Sequence, residues 1–204
     1  MNNLLTIGKK IRALAQTGIN FSHNEYDLDR YNELLDISHT ILSMNTGIKK
    51  NKVPAFFEHE QGYPTPKIDI RAAIFDQDNI LLVKEKADNL WSVPGGWADI
   101  GYSPAEVAVK EVKEEAGLEV KANRLLAVVD KRNYKHPKSI YYAYKMFFEC
   151  EIVGGVMRSG TETADVQFFN KNDLPQLSLN RITEDQIKML FEQKENKNNM
   201  TIFE

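Results

Sequence analysis

Between Leu90 and Val120 the chain reads LWSVPGGWADIGYSPAEVAVKEVKEEAGLEV, a stretch that leaves the backbone little freedom. Gly95-Gly96 follows a short apolar run and makes a tight loop, because glycine alone enters positive φ freely. Ser103-Pro104-Ala105-Glu106 then opens a helix. Ser103 caps the first turn, Pro104 takes the first helical position, and Glu106 reaches back to close a capping box. Gly117 stops the helix, which the spacing places over residues 104 to 116. At about 100° per residue, Ala105, Ala108, Val109, Val112 and Ala116 form one stripe that docks on a sheet. Glu111, Glu114 and Glu115 are expected on the opposite, outer face, spaced i, i+3 and i+4. Carboxylates so spaced repel, and a hard divalent cation that prefers oxygen ligands relieves the repulsion. For three glutamates alone, a solvated acidic patch is the plainer alternative. The glycine pair just upstream tips the reading toward a metal site.

This stretch resembles the signature of the Nudix hydrolases, G-x5-E-x7-R-E-U-x-E-E-x-G-U with U aliphatic. Gly96, Glu111, Val112, Glu114, Glu115, Gly117 and Leu118 match it. Tyr102 stands where the family has its first Glu, and Lys110 replaces the Arg, keeping the cation without the bidentate fork. The resemblance places these two positions close together in space, so that losing both charges does less damage than losing one. Asp99, three residues before Tyr102, sits where many members carry an acid. The implied fold is an α/β/α sandwich with a mixed sheet.

With 204 residues the chain holds one good core, or a core plus a small accessory domain. Its composition, 42% apolar and 27% charged, is that of an ordinary globular protein. The net charge of −3 gives no general pull toward nucleic acid, so an anionic substrate needs local cations or metal. One cysteine, Cys150, excludes an internal disulfide and fits a reducing compartment. No apolar run approaches the about 18 residues of a membrane span, and the N-terminus lacks a signal-peptide core. A cytoplasmic location is expected.

Leu4, Ile7, Ile11 and Leu14 recur at helical spacing up to a stop at Thr17-Gly18. Leu28, Tyr31, Leu34, Ile37, Ile41 and Met44 mark a longer helix ending at Asn45-Thr46-Gly47. Two such helices cannot bury their apolar faces between themselves and need a further partner, the next domain or a second copy of the chain; a homodimer through them is expected. They resemble the small helical extension before some Nudix hydrolases of nucleoside diphosphate derivatives. Residues 48 to 67 read as a linker pinned by Phe56 and Phe57, which divides the chain into a helical domain, 1–61, and a Nudix domain, 62–204. Strands are expected at Ile68 to Phe75, Ile80 to Lys84, Leu125 to Lys131, Ser139 to Ile152 and Val166 to Asn170, before a last helix opened by Thr183.

Cleaving a diphosphate requires the charge on its oxygens to be screened and water to be aimed in line. Glu111 and Glu115, one turn apart, are the expected direct ligands of Mg²⁺, or of Mn²⁺ in its place, with Glu114 a third ligand or a supporting group. The resemblance adds the carbonyl of Gly96 as a ligand, and an acid on a later loop as base or extra ligand. Glu162 sits where that loop should be, with Asp165 as competitor; an exposed loop acid is the alternative for either. For substrate, Arg71 either reaches the cleft to hold a phosphate or faces solvent. Trp97 stacks on a base or covers the site, Asp99 lies beside it, and Lys131 belongs to a basic loop with Arg132, Lys135 and His136. The whole chain most resembles bacterial Nudix hydrolases acting on CDP-choline, giving CMP and phosphocholine. Cleavage of ADP-ribose to AMP and ribose 5-phosphate is the near alternative. Hydrolysis of RNA ends, and a non-catalytic nucleotide sensor, are the remaining classes.

Overall fold

In the computed structural model, which describes residues 4–195 and 200–204, the chain from Lys67 onward forms a mixed sheet covered on both faces by helices. The strands are β1 (Lys67–Asp76), β2 (Asn79–Glu85), β3 (Trp91–Ser92), β4 (Leu118–Asp130), β5 (Ala143–Gly155), β6 (Thr163–Asn170) and β7 (Ile202–Phe203). Their order is β3-β2-β1-β5-β4-β7, with β6 also paired to β2. β1 and β5 run parallel, as do β4 and β7; the other pairs are antiparallel.

Alternation along β1 assigns the two faces. Ile70, Ala72 and Ile74 pack with Leu81 and Val83 of β2 against Val107, Ala108, Val112 and Ala116 of α3 (Pro104–Ala116). Ala73, Ile80, Leu82 and Phe147 turn the other way, onto Ile187, Leu190 and Phe191 of α4 (Glu184–Glu195). α3 begins and ends where its caps dictate. Ser103 Oγ accepts from the Glu106 amide at 3.3 Å, Glu106 Oε2 accepts from the Ser103 amide at 2.8 Å, and Gly117 closes the helix at φ 69°. Thr183 and Gln186 cap α4 by the same reciprocal pair, at 3.3 and 3.2 Å. Each fully buried valine of α3 contributes on the order of 2 kcal/mol through removal from water.

The chain up to Pro66, together with Lys138–Tyr142, forms a second compact unit. In it α1 (Leu4–Phe21) packs on α2 (Glu25–Thr46), whose Asn24 cap accepts from the Tyr26 and Asp27 amides at 3.0 and 3.3 Å. Gly18 does not stop α1. It lies inside the helix because Tyr31 crosses it so closely that a Cβ there would stand 2.4 Å from the ring. The linker is likewise structured, with short 3-10 turns at Lys50–Lys52 and Pro54–Phe57. Arg12 ties it to α1, ion-paired with Glu60 at 3.3 Å and lying 3.4 Å over the Phe57 ring. Leu5, Leu42 and Val53 make the core, and Ile140 completes it. Two strand expectations are thereby corrected. β5 starts at Ala143 rather than Ser139, since Ser139–Tyr142 packs with the helices. β4 starts at Leu118, seven residues before Leu125, and three register shifts against β5 break the plain alternation that would have revealed it.

Candidate metal and diphosphate site

The Gly95–Gly96 loop is clamped between β1 and α3. The Ile70 amide donates to Gly96 O at 2.8 Å and the Ala72 amide to Pro94 O at 2.9 Å. A Cβ on Gly95, at φ 142°, would stand 2.0 Å from Ile70 O, so that position admits no side chain, and one on Gly96 would stand 2.7 Å from Glu111 Oε1 and displace that carboxylate. Into this cradle α3 delivers Glu111 and Glu115. Glu115 is not on the outer face. It is 6% exposed, and its Oε2 accepts from the Gly95 amide at 2.9 Å. On a helical wheel it stands about 20° from Ala108, so the apolar stripe carries it inward. Burial pushes its carboxyl up to about 8 against the opposing pull of Arg71 and the Gly95 amide. Burial likewise raises Glu111.

Two oxygen donors whose ionisation burial opposes form a set that a hard divalent cation would complete. Gly96 O keeps a lone pair beyond its bond to Ile70. Glu114 is exposed and ion-paired with Lys110 at 3.4 Å, and its charge adds to the raising of Glu111. Among the described residues no three acids or imidazoles converge in a metal-holding group.

The two departures from the family signature have a local explanation. Lys110 Nζ donates to Asp99 Oδ2 at 2.8 Å and lies 5.9 Å from the centre of the Tyr102 ring. Asp99 thus supplies the carboxylate partner that Tyr102 cannot, and the lysine is held further toward its charged form. This ion pair engages Asp99 within the loop.

Arg71 takes neither of its expected places. It is buried, with Nε on Asp69 Oδ1 at 2.7 Å and Nη1 on Val93 O at 3.2 Å and Ser92 Oγ at 3.4 Å. It therefore braces the segment leading into the glycine loop, and its charge reaches Glu115. Lys145, 0% exposed and in register with Asp69 on the neighbouring strand, donates to the other Asp69 oxygen. Burial opposes ionisation of Asp69, but Arg71 and Lys145 together hold its carboxyl below the usual range. Burial lowers the Lys145 ammonium to about 7. Glu85, also buried, is paired with Arg181 at 3.0 Å.

Lys131 sits near this network, lowered by burial and by Arg71 and Arg181, and donates to Asn180 O at 2.7 Å. His136 Nδ1 bonds Leu179 O at 2.7 Å, and burial holds this imidazole down to about 4. Trp97 is about half-exposed, with Lys67 Nζ 5.9 Å from its ring centre. Glu162 is exposed on the loop between β5 and β6, its carbonyl accepting from the Lys86 amide at 2.9 Å. Its rival Asp165 is turned onto its own strand, accepting from the Val166 amide at 2.8 Å. Asp69, Glu85 and Lys145 were not anticipated. Charged residues alternating with apolar ones in a strand read as solvent-facing, and only the cover over that face reveals them.

A capped acidic helix locked onto a glycine loop at one face of a mixed sheet defines this class of hydrolase, and the chain belongs to the Nudix family, its residues 65–192 matching the NUDIX domain. Residues 2–57 match a domain described as UDP-X-like, N-terminal oligomerisation domain. Over 96% of its length the chain is 43% identical to the putative ADP-ribose pyrophosphatase YjhB of Bacillus subtilis (strain 168), covering 94% of that protein. The crystal structure of a UDP-X diphosphatase, 30% identical, matches 98% of both chains with a TM-score of 0.65. That of an ADP-ribose pyrophosphatase from Streptococcus suis 89-1591, 44% identical, matches 69% of this chain and all of its own, with a TM-score of 0.63.

Proposed function

We propose that this chain is a Mg²⁺-dependent pyrophosphohydrolase of a nucleoside diphosphate linked to a second group. The observation that carries this reading is the pair Glu111 and Glu115, half-buried and buried, against a glycine loop whose Gly95 has no room for a side chain and whose Gly96 lies against the Glu111 carboxylate. Glu111, Glu115 and the free lone pair of Gly96 O would hold the cation. A divalent ion held there would screen the phosphate oxygens and favour in-line attack by water. Glu162 takes the proton of the attacking water. Lys131 places an ammonium toward the anionic substrate, and Trp97 offers a face for the nucleobase.

ADP-ribose leads as substrate, supported by the names of relatives that align over most of the chain. CDP-choline, the substrate of the bacterial hydrolases that the full-length chain resembles, is the second candidate. A homodimer through the N-terminal helices is supported by the exposed Leu14, Phe21, Tyr26 and Met44 and by the matching oligomerisation domain. No helix among the described residues is long and apolar enough to cross a membrane. With the single free thiol of Cys150, that agrees with work in the cytoplasm. The test is a panel of ADP-ribose, CDP-choline, UDP-sugars and short 5′-phosphorylated RNA, each with and without Mg²⁺. Metal-dependent turnover of one diphosphate-linked nucleoside is expected. Turnover of RNA alone, or of nothing while Mg²⁺ and nucleotide still bind, overturns the reading.

A further inference from the structure

The loop that carries Glu162 is bolted to the end of the helix that carries Glu111 and Glu115. Three consecutive carbonyls at the end of α3, those of Glu114, Glu115 and Ala116, lack helical partners and need others. The Ala116 carbonyl accepts from the Arg158 amide at 2.9 Å. The Glu115 carbonyl accepts from Thr163 Oγ1 at 2.7 Å, and that same oxygen accepts from the Gly160 amide at 2.7 Å. Gly160 passes so close to Glu114 O that a Cβ there would stand 1.8 Å from it. From the other side Lys86 grips the loop, its amide on Glu162 O at 2.9 Å and its Nζ on Thr161 O at 2.8 Å. Thr163 itself is fully buried at the start of β6. One hydroxyl thus ties the main chain of a carboxylate on α3 to the loop one residue away from Glu162.

We propose that Thr163 is a positioning residue, whose hydroxyl fixes the height of Glu162 relative to the Glu111–Glu115 pair. This rests on the catalytic reading given above, in which Glu162 handles the proton of the attacking water. Without the hydroxyl the Gly160 amide and the Glu115 carbonyl lose their shared partner and the loop can slide along the helix end. A misplacement of about 1 Å costs up to roughly a hundredfold in rate. Ground-state binding does not use Glu162, so KM stays where it was.

Thr163→Val keeps the volume and the strand preference of threonine and removes only the hydroxyl; Thr163→Ser keeps the hydroxyl. The valine variant is expected to lower kcat by roughly tenfold or more, with KM within about twofold, and serine to restore most of the loss. In a Glu162→Gln background Thr163→Val should lower kcat no further, because there is no proton acceptor left to place. Equal losses in both backgrounds, or a valine variant with unaltered kcat, overturn the proposal while leaving the proton-handling role of Glu162 standing. A Glu162→Gln enzyme with unimpaired turnover removes that role and the proposal together.

Discussion

Glu115 makes the metal-free protein weaker as the solution becomes more alkaline, and the size of the effect follows from its burial. An ordinary glutamate titrates near 4.5, whereas Glu115 in the fold is raised to about 8. Between those values the folded chain keeps a proton that the unfolded chain has released, so folding loses stability as pH rises through the window. At about 1.4 kcal/mol per pH unit, the loss between pH 5 and 8 is roughly 3 to 4 kcal/mol. His136, held down to about 4, acts in the opposite sense below its ordinary 6.5, because there the folded chain binds fewer protons. A comparison with Glu115→Gln cancels that contribution, since both proteins keep His136, and the glutamine carbonyl can still accept from the Gly95 amide. Urea unfolding of EDTA-treated protein at pH 5, 6, 7 and 8 should show the parent chain losing stability relative to the variant by that amount. Magnesium at a hundred times its dissociation constant should restore about 2.7 kcal/mol to the parent at pH 8 and much less to the variant. Parallel pH curves for the two proteins, or equal magnesium stabilisation, would refute the assignment of Glu115 as a buried ligand.

Glu111→Gln should leave the thermal midpoint within a few degrees and lower kcat by at least about a hundredfold, measured at saturating Mg²⁺; turnover near that of the parent removes Glu111 from the site. Tyr102→Glu should change kcat/KM less than about fivefold, because Asp99 already neutralises Lys110 at 2.8 Å; a large gain would show the tyrosine to be a handicap. Asp69→Asn strands Arg71 and Lys145 without their shared carboxylate and should cost about 3 to 5 kcal/mol in urea unfolding, with less than about 1 kcal/mol contradicting the described network. Leu14→Glu combined with Phe21→Glu should turn a dimer into a monomer by sedimentation velocity, and an unaltered mass would place the interface elsewhere.

What was legible in the sequence was what local chemistry decides. The limits of α3 follow from Ser103, Pro104, Glu106 and Gly117 to the residue, since caps act within one turn. The meeting of Glu111 with the glycine pair was also readable, as both lie in one 31-residue stretch, Leu90–Val120. The misreadings share a different cause. Gly18 looked like a stop because its reason, the ring of Tyr31, lies on another helix. Glu115 reads as outward because the apolar stripe of the sequence is narrower than the surface that covers it. Lys145, between Tyr144 and Met146, carries no mark of burial: its partner Asp69 is 76 residues away in the chain. Long-range partners of that kind are set by topology, which short-range patterns do not encode.

The capture of Lys138–Tyr142 by the N-terminal helices sets an order of events on the ribosome. At about 5 to 20 residues per second, the helices emerge several seconds before Ile140 does, so their apolar centre waits half-built while most of the sheet is still being synthesised. A gene fragment encoding only the first 66 codons would be missing a piece of its own interior. Moved onto another catalytic domain, the helical module would need a matching loop segment to take the place of Ile140.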